Sequence, residues 1–307
     1  MTITINWSQR IGNQRDWVWR GWQTRYSYFR NNFVGNTPLI LVHGFGASIE
    51  HWRFNLPVLS QHQTVYALDL LGFGASRKAS VDYSINLWVE QLHDFWQTFI
   101  AQPVVLVGNS IGSLVCLTAA ATYPEMVTGL VMLSLPDVSL RQAAIPRPLQ
   151  PIVTGIENLV ASPWLINTIF KFVRQPTTIR RWAGVAYCAQ NAIDDELVAI
   201  LSNPAYDEGA AQTFYRLFQR IRRPQFAPAV TEILPRLNIP ILLVWGRQDR
   251  MIPFALAANI APLNQNLNLI ALEQVGHCPH DECPEQFNQI LLDWLSHHFP
   301  VVQEDIK

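Results

Sequence analysis

The sequence predicts an α/β fold, a mostly parallel, doubly wound sheet with an inserted helical cap, and three observations carry that reading. Six short apolar runs alternate with helical stretches and turns. One such run breaks at a Gly-x-Ser-x-Gly pentapeptide and resumes as an apolar segment. Almost 100 residues in the second half carry no strand pattern. With 307 residues, 49% of them hydrophobic, the chain can bury one large core, so one domain with an insertion is expected.

The apolar runs fall at 39–42, 65–68, 104–107, 130–133, 241–245 and 267–272, and such runs are typical of parallel strands covered on both faces. Residues 15–33 alternate aromatic with polar or basic side chains, the pattern of a half-exposed antiparallel strand pair at a sheet edge. Between the second and third runs, Ile85, Trp88, Leu92, Phe95, Trp96 and Phe99 recur at three- and four-residue spacing, which predicts a crossover helix with one apolar face. Strand and helix in alternation place a ligand site at the carboxyl ends of the strands.

From about Asp137 to Pro235 the alternation stops. Apolar helical pieces at 156–172 and 210–221 are punctuated by Pro146, Pro148, Pro151, Pro163, Pro176, Pro204, Pro224 and Pro228. The expected division is a core of residues 1–136 and 236–307 with a helical cap or lid at 137–235. Leu165, Ile166, Ile169, Phe170, Phe172, Trp182 and Tyr187 give the cap enough apolar surface to line a pocket for a long acyl or prenyl chain, or to pack its own helices.

Composition narrows the partners. A net charge of −1 without long basic blocks argues against nucleic acid. Ten Arg and Lys against seven Asp and Glu over residues 138–232 leave peripheral contact with an anionic membrane surface open. The first residues lack a basic start followed by an apolar run, and the most apolar stretch, 103–121, is cut by Gly108, Asn109, Ser110, Gly112 and Ser113. Neither a signal peptide nor a membrane span is expected. Cys116, Cys188, Cys278 and Cys283 do not make a disulfide framework, which suits a reducing, cytoplasmic location. The cluster at 277–283 offers two His and two Cys, but its spacing matches no common zinc pattern, so neither metal nor cofactor is expected.

The chemistry centres on Ser110. A strand ending at Gly108 and a helix starting after Ser110 force the serine onto a tight turn, and the glycines let strand and helix approach. The hydroxyl then stands at a helix N-terminus, which favours negative charge. A serine needs a base and the base an orienting carboxylate. Asp249 follows the 241–245 run and His277 follows the 267–272 run, each on a loop at a strand's carboxyl end. Asp137, after the 130–133 run, is the competing acid. The amides of Phe45, in His43-Gly44-Phe45-Gly46, and of Ile111 are the candidate oxyanion hole, with His43, Gly44 and Asn109 as substrate-binding neighbours. His280 is a structural neighbour of the site. His51, His62, His93, His297 and His298 read as surface or helix positions.

The segments HGFG (43–46), LDLLGFGAS (68–76), GNSIG (108–112), GRQD (246–249) and VGH (275–277) make the chain resemble the α/β-hydrolase superfamily over nearly its whole length. Serine at 110 separates it from the haloalkane dehalogenases and epoxide hydrolases, which use an aspartate. Within the superfamily, YSINLWVEQLHDF (83–95), PVVLVGNSIGSLVCLTAAATYPE (103–125) and GHCPHDECPEQFN (276–288) are similar to the pheophytinase and chlorophyll dephytylase group. That resemblance implies cleavage of the phytyl ester of a chlorophyll-type pigment through an acyl-enzyme, with a hydrophobic small-molecule ester as the partner. The cap does not visibly match. A carboxylesterase or lipase, a C–C bond hydrolase, a menaquinone-pathway lyase relative on the same triad, and a ligand-binding protein without turnover are the alternatives.

Overall fold

The computed structural model describes residues 7–30, 36–137, 163–221 and 223–300. Eight strands form one sheet: β1 (Asn13–Trp19), β2 (Trp22–Phe29), β3 (Leu39–Val42), β4 (Val65–Leu68), β5 (Val104–Asn109), β6 (Val127–Leu133), β7 (Ile241–Gly246) and β8 (Leu267–Leu272), in the order β1-β2-β4-β3-β5-β6-β7-β8. β1 pairs antiparallel with β2 and β2 antiparallel with β4; the other pairings are parallel. The strands thus fall on the six apolar runs and the aromatic segment. The hairpin turns at Arg20-Gly21, both at positive φ (49° and 86°), with Trp19 opposite Trp22. That is the two-residue turn whose twist matches that of paired strands. Residues 31–33 of the expected strand pair lie outside the described residues.

Side-chain alternation splits the core into two layers. Ile40 and Val42 face a cluster with α1 (Ile85–Phe99) and α2 (Ile111–Thr122), while Leu39 and Leu41 face the opposite cluster. Ser84 caps α1 by accepting from the Leu87 amide at 3.2 Å, and Ile85, Trp88, Leu92 and Phe95 are buried, as the spacing predicts. α2 is buried on almost every side, which is why its sequence is apolar all round.

Between β6 and β7 the described residues carry helices and no strand. They include α3 (Pro163–Val173), α4 (Pro176–Ala186), α5 (Asp195–Ser202) and α6 (Ala210–Arg220). Asp194 caps α5 through the Leu197 amide at 2.7 Å. The first part of the expected cap, residues 138–162 with Pro146, Pro148 and Pro151, lies outside the described residues. The chain ends its fold with α7 (Pro284–His298), which packs Phe287, Leu291 and Leu295 on the second core layer. Among the described residues, no helix is long and apolar enough to cross a membrane.

Candidate active site

Ser110 occupies the turn between β5 and α2 at φ 54°, ψ −118°, a conformation an L residue adopts only under constraint. Two close approaches supply it. A Cβ on Gly108 would stand 2.4 Å from the Gly112 carbonyl oxygen, and one on Gly112 would stand 2.3 Å from the Val42 carbonyl oxygen. Neither neighbour can yield, because both are backbone. The Ser110 amide donates to the Leu133 carbonyl at 2.8 Å, tying the turn to the end of β6.

The 43–46 loop lies directly against this turn. A Cβ on Gly44 would meet Asn109 Oδ1 at 2.9 Å and Ser110 Cβ at 3.5 Å, so only glycine permits the approach. Gly46 takes positive φ (71°) and Ala47 closes the turn onto the Gly44 carbonyl. Phe45 is half exposed, its ring edge-on to Phe73 at 5.3 Å. Ile111 is the first residue of α2, where amides lack intrahelical acceptors.

His43 differs from the expected substrate-binding role. It is fully buried, its Nδ1 donates to the Gly44 carbonyl (2.8 Å) and its Nε2 accepts from the Leu70 amide (3.1 Å). Burial holds its pKa down at about 4, so the ring is a neutral strut with both nitrogens used. Asn109 is likewise buried, and its side-chain amide donates to the His277 carbonyl at 3.2 Å. Asn109 therefore braces the serine turn against the histidine loop.

Asp249 and His277 come together from the loops after β7 and β8. His277 Nδ1 lies 2.8 Å from Asp249 Oδ2. The other carboxylate oxygen, Oδ1, accepts from the Met251 and Ile252 amides, both at 2.8 Å. The carboxylate on His277 is thus Asp249, not Asp137. An acceptor on Nδ1 puts the proton there and leaves Nε2 free to take one.

The remaining polar residues of the 277–283 cluster are engaged structurally. Asp281 accepts from Arg53 Nη1 (2.6 Å) and from the Tyr187 hydroxyl (2.7 Å), and Tyr187 in turn lies 2.8 Å from His51 Nε2. His280 Nε2 lies 3.3 Å from His51 Nδ1. Burial depresses both histidines, His51 to about 3, and holds the Asp281 carboxyl above its usual range against the pull of Arg53. Neutral rings make the run directional: His280 donates to His51, His51 to Tyr187, and Tyr187 to Asp281. Glu282 accepts backbone amides on both oxygens, and burial raises its pKa too. Burial likewise pushes the Cys278 thiol well up, away from reactivity. Among the described residues no group of His, Cys, Asp or Glu is arranged to hold a metal ion.

The sequence reading missed this network. His51, read as a surface or helix position, is buried on a short 3-10 turn. Tyr187, read as lining a pocket or packing the cap helices, belongs to the network. The visible signal was the adjacent pair Asp281-Glu282 at the end of the short helical turn Pro279–Glu282 that follows His277. Asp69, inside LDLLGFGAS, is a second such residue. Its carboxylate takes the Ile49 (2.8 Å) and Ala75 (2.7 Å) amides, while burial and the nearby Glu50 charge push its pKa up to about 8.

Beside the 43–46 loop lies a cavity of about 90 Å³, lined chiefly by Phe45, Phe73, Phe170, Leu201, Phe214 and Leu217. Of the cap residues expected to line a pocket, Phe170 does. Ile169, Phe172 and Trp182 are exposed, Phe172 by 63%, Leu165 is half-buried, and the Ile166 side chain lies outside the described residues. Lys78 reaches the same cavity, but its ammonium is held by Asp207 (2.9 Å) and the Ser76 carbonyl (3.1 Å).

A serine on a strained strand-to-helix turn, with a buried Asp–His couple at the ends of neighbouring strands of this sheet, defines an α/β hydrolase. Residues 39–290 match the Alpha/beta hydrolase family, and the chain belongs to that family. Over 269 residues it is 28% identical to the 2-hydroxy-6-oxo-6-(2'-aminophenyl)hexa-2,4-dienoic acid hydrolase of Metapseudomonas resinovorans, covering 84% of each chain. It is 23% identical over 305 residues to the chloroplastic pheophytinase of Arabidopsis thaliana, covering 85% of this chain and 62% of that one. Among solved structures it is similar to a serine hydrolase involved in carbazole degradation (TM-score 0.75, 24% identity, 93% of this chain and 99% of that one), a likeness of fold. The protein is an enzyme of the hydrolase class.

Proposed function

We propose that the protein hydrolyses a hydrophobic carboxylic ester through an acyl-enzyme on Ser110. The observation that carries this is the 2.8 Å Asp249–His277 contact, with the second Asp249 oxygen fixed by two amides, beside the strained serine turn. His277 Nε2 takes the Ser110 proton as Oγ attacks the ester carbonyl. The Phe45 and Ile111 amides hold the oxyanion, and the alcohol leaves with the proton from His277. Water, deprotonated by the same histidine, then releases the acid. The described part of the 137–235 insertion acts as a cap beside this site, through its contacts with the histidine loop.

The apolar cavity lining and the engagement of Lys78 by Asp207 favour an uncharged, greasy substrate arm. The similarity to pheophytinase, with the GHCPHDE segment, points that arm toward the phytyl ester of a chlorophyll-type pigment. A second reading, hydrolysis of a C–C bond in a 2-hydroxy-6-oxo-dienoic acid, is favoured by the 28% identity to such a hydrolase.

The test is turnover of pheophytin in detergent, a short-chain ester and a 2-hydroxy-6-oxo-dienoate by the purified protein beside Ser110→Ala. Phytol release that vanishes in the variant supports the pigment reading. Serine-dependent cleavage of the short ester alone keeps the mechanism and removes the pigment, and preference for the dienoate selects the second reading. Full turnover by Ser110→Ala would sink the scheme.

A further inference from the structure

We infer that Glu282 is a positioning residue for His277, acting as a latch through which the cap segment 186–189 holds the histidine loop in its working geometry. Three backbone donors converge on this one carboxylate. The Gly276 amide donates to Oε1 at 2.9 Å, the Ala189 amide to Oε1 at 3.2 Å, and the Cys188 amide reaches both oxygens at 3.1 and 3.0 Å. Gly276 directly precedes His277, whereas Cys188 and Ala189 follow α4 in the cap. The His277 amide itself donates to the Ala186 carbonyl at 2.7 Å.

The approach is too close to be incidental. A Cβ on Gly276 would lie 2.2 Å from the Ala186 carbonyl oxygen and 2.9 Å from the Cys188 nitrogen, so the cap backbone runs directly over the histidine loop. Asp281, one residue before Glu282, grips Tyr187, one residue before Cys188, through its hydroxyl. Two consecutive acids therefore hold two consecutive cap residues. Cys278 completes the seat by packing with Ala183, Tyr187, Ile193, Leu197 and Val198 of the cap.

The consequence concerns the imidazole. The Asp249 contact fixes Nδ1, but the direction of Nε2 toward Ser110 depends on the backbone at 276–278. That backbone is held by the Gly276–Glu282 and His277–Ala186 bonds on one side and by Asn109 on the His277 carbonyl on the other. Removing the Glu282 carboxylate leaves the first side on the His277–Ala186 bond alone, and a misplacement of about 1 Å at a reacting group lowers rate roughly 100-fold.

The inference rests on the Ser110 reading for its kinetic consequence, so the test has two readouts on the full-length protein. One is the low-field Nδ1 proton of His277 by NMR, assigned by its loss in Asp249→Asn, which requires no turnover. The other is the pH-dependent rate at which a fluorophosphonate labels Ser110. Glu282→Ala removes both acceptor oxygens from the Gly276, Cys188 and Ala189 amides, which Glu282→Gln, with one oxygen left at the Oε1 position, would not. Ala189→Pro removes one cap donor at a residue whose φ of −78° suits proline, and leaves the histidine loop unchanged.

The expected result is a shifted or lost Nδ1 signal and labelling slowed about tenfold or more in Glu282→Ala, and the same direction of change in Ala189→Pro. Folded variants with an unmoved signal and wild-type labelling would overturn the latch. If Glu282→Ala does not fold, Ala189→Pro decides. If the wild type is not labelled, the serine mechanism fails, and the NMR readout still judges the latch.

Discussion

Asparagine at position 249 separates proton placement from architecture. Asp249 Oδ1 accepts two amides, from Met251 and Ile252, at 2.8 Å each, and Oδ2 faces His277 Nδ1. In Asp249→Asn the side-chain oxygen must stay on the two amides, because turning the NH2 group toward them would set donor against donor. The NH2 then points at Nδ1, which has to accept, and the imidazole proton moves to Nε2. That is the atom required to take the Ser110 proton. Every buried hydrogen bond survives and the base is lost. We expect kcat to fall roughly ten-thousandfold, about 5 kcal/mol of barrier, with stability changed by no more than about 1 kcal/mol. Asp249→Ala, by contrast, strands two amides and costs about 1–3 kcal/mol of stability for each. Ester turnover measured beside thermal unfolding separates the two. A folded Asp249→Asn enzyme within tenfold of wild-type kcat would refute the assignment and make Asp137 the next carboxylate to replace.

Acid should remove the stability held by the buried neutral histidines, against the opposite contribution of the raised Asp69, Asp281 and Glu282 carboxyls. Because His43 is held near 4 in the fold against 6.5 when exposed, the unfolded chain binds the proton first as pH falls. The stability is intact above pH 6.5 and lost between 6.5 and 4, about 2 kcal/mol of it by pH 5, and His51 and His280 act in the same direction. Urea unfolding of wild type and His43→Gln at pH 7 and pH 5 checks this: the variant should be weaker at pH 7 and less pH-dependent. Gly112→Ala should cost about 1–3 kcal/mol and most activity, since its Cβ would stand 2.3 Å from the Val42 carbonyl oxygen; wild-type melting would contradict the close approach. Phe170→Ala should open the 90 Å³ cavity and shift kcat/KM toward esters with longer chains, at a stability cost of about 3–5 kcal/mol; an unchanged chain-length profile would exclude the cavity from the substrate path.

What the sequence displays well is what repeats or punctuates. Five of the six apolar runs are strands buried on both faces, which leave no polar alternation to confuse with a helix, and the sixth, β8, is the sheet edge with Asn268 exposed. The Ser110 turn was legible because only glycine tolerates approaches of 2.3–2.4 Å, so the constraint is written as letters at 108 and 112. Contacts between distant segments leave no such mark. Tyr187 lies 94 residues from Asp281 in sequence, and an aromatic at helical spacing reads equally as pocket wall, core or hydrogen-bond donor. His43 next to Gly44 suggested a ligand contact, whereas burial with both nitrogens satisfied makes it a strut. Periodicity reports how far a residue is from water, not which polar group it finds there.

The placement of the missed residues gives the cap a second part to play. Lys78, beside LDLLGFGAS on the Phe45 side of Ser110, holds Asp207 of the cap, and Glu282 on the His277 side holds Cys188 and Ala189. The insertion is thus fastened to the histidine loop and to the segment after β4, whose Phe73 packs on Phe45. A loop that only covered a pocket would need no charged bonds at these two points. A displacement of the insertion would reach the 276–278 backbone through Glu282 and Phe45 through its packing on Phe73. Substrate that repacks the cap from within the Phe170–Phe214 wall would then act on catalytic geometry as well as on affinity. On this argument, substitutions in that wall should change kcat as well as KM.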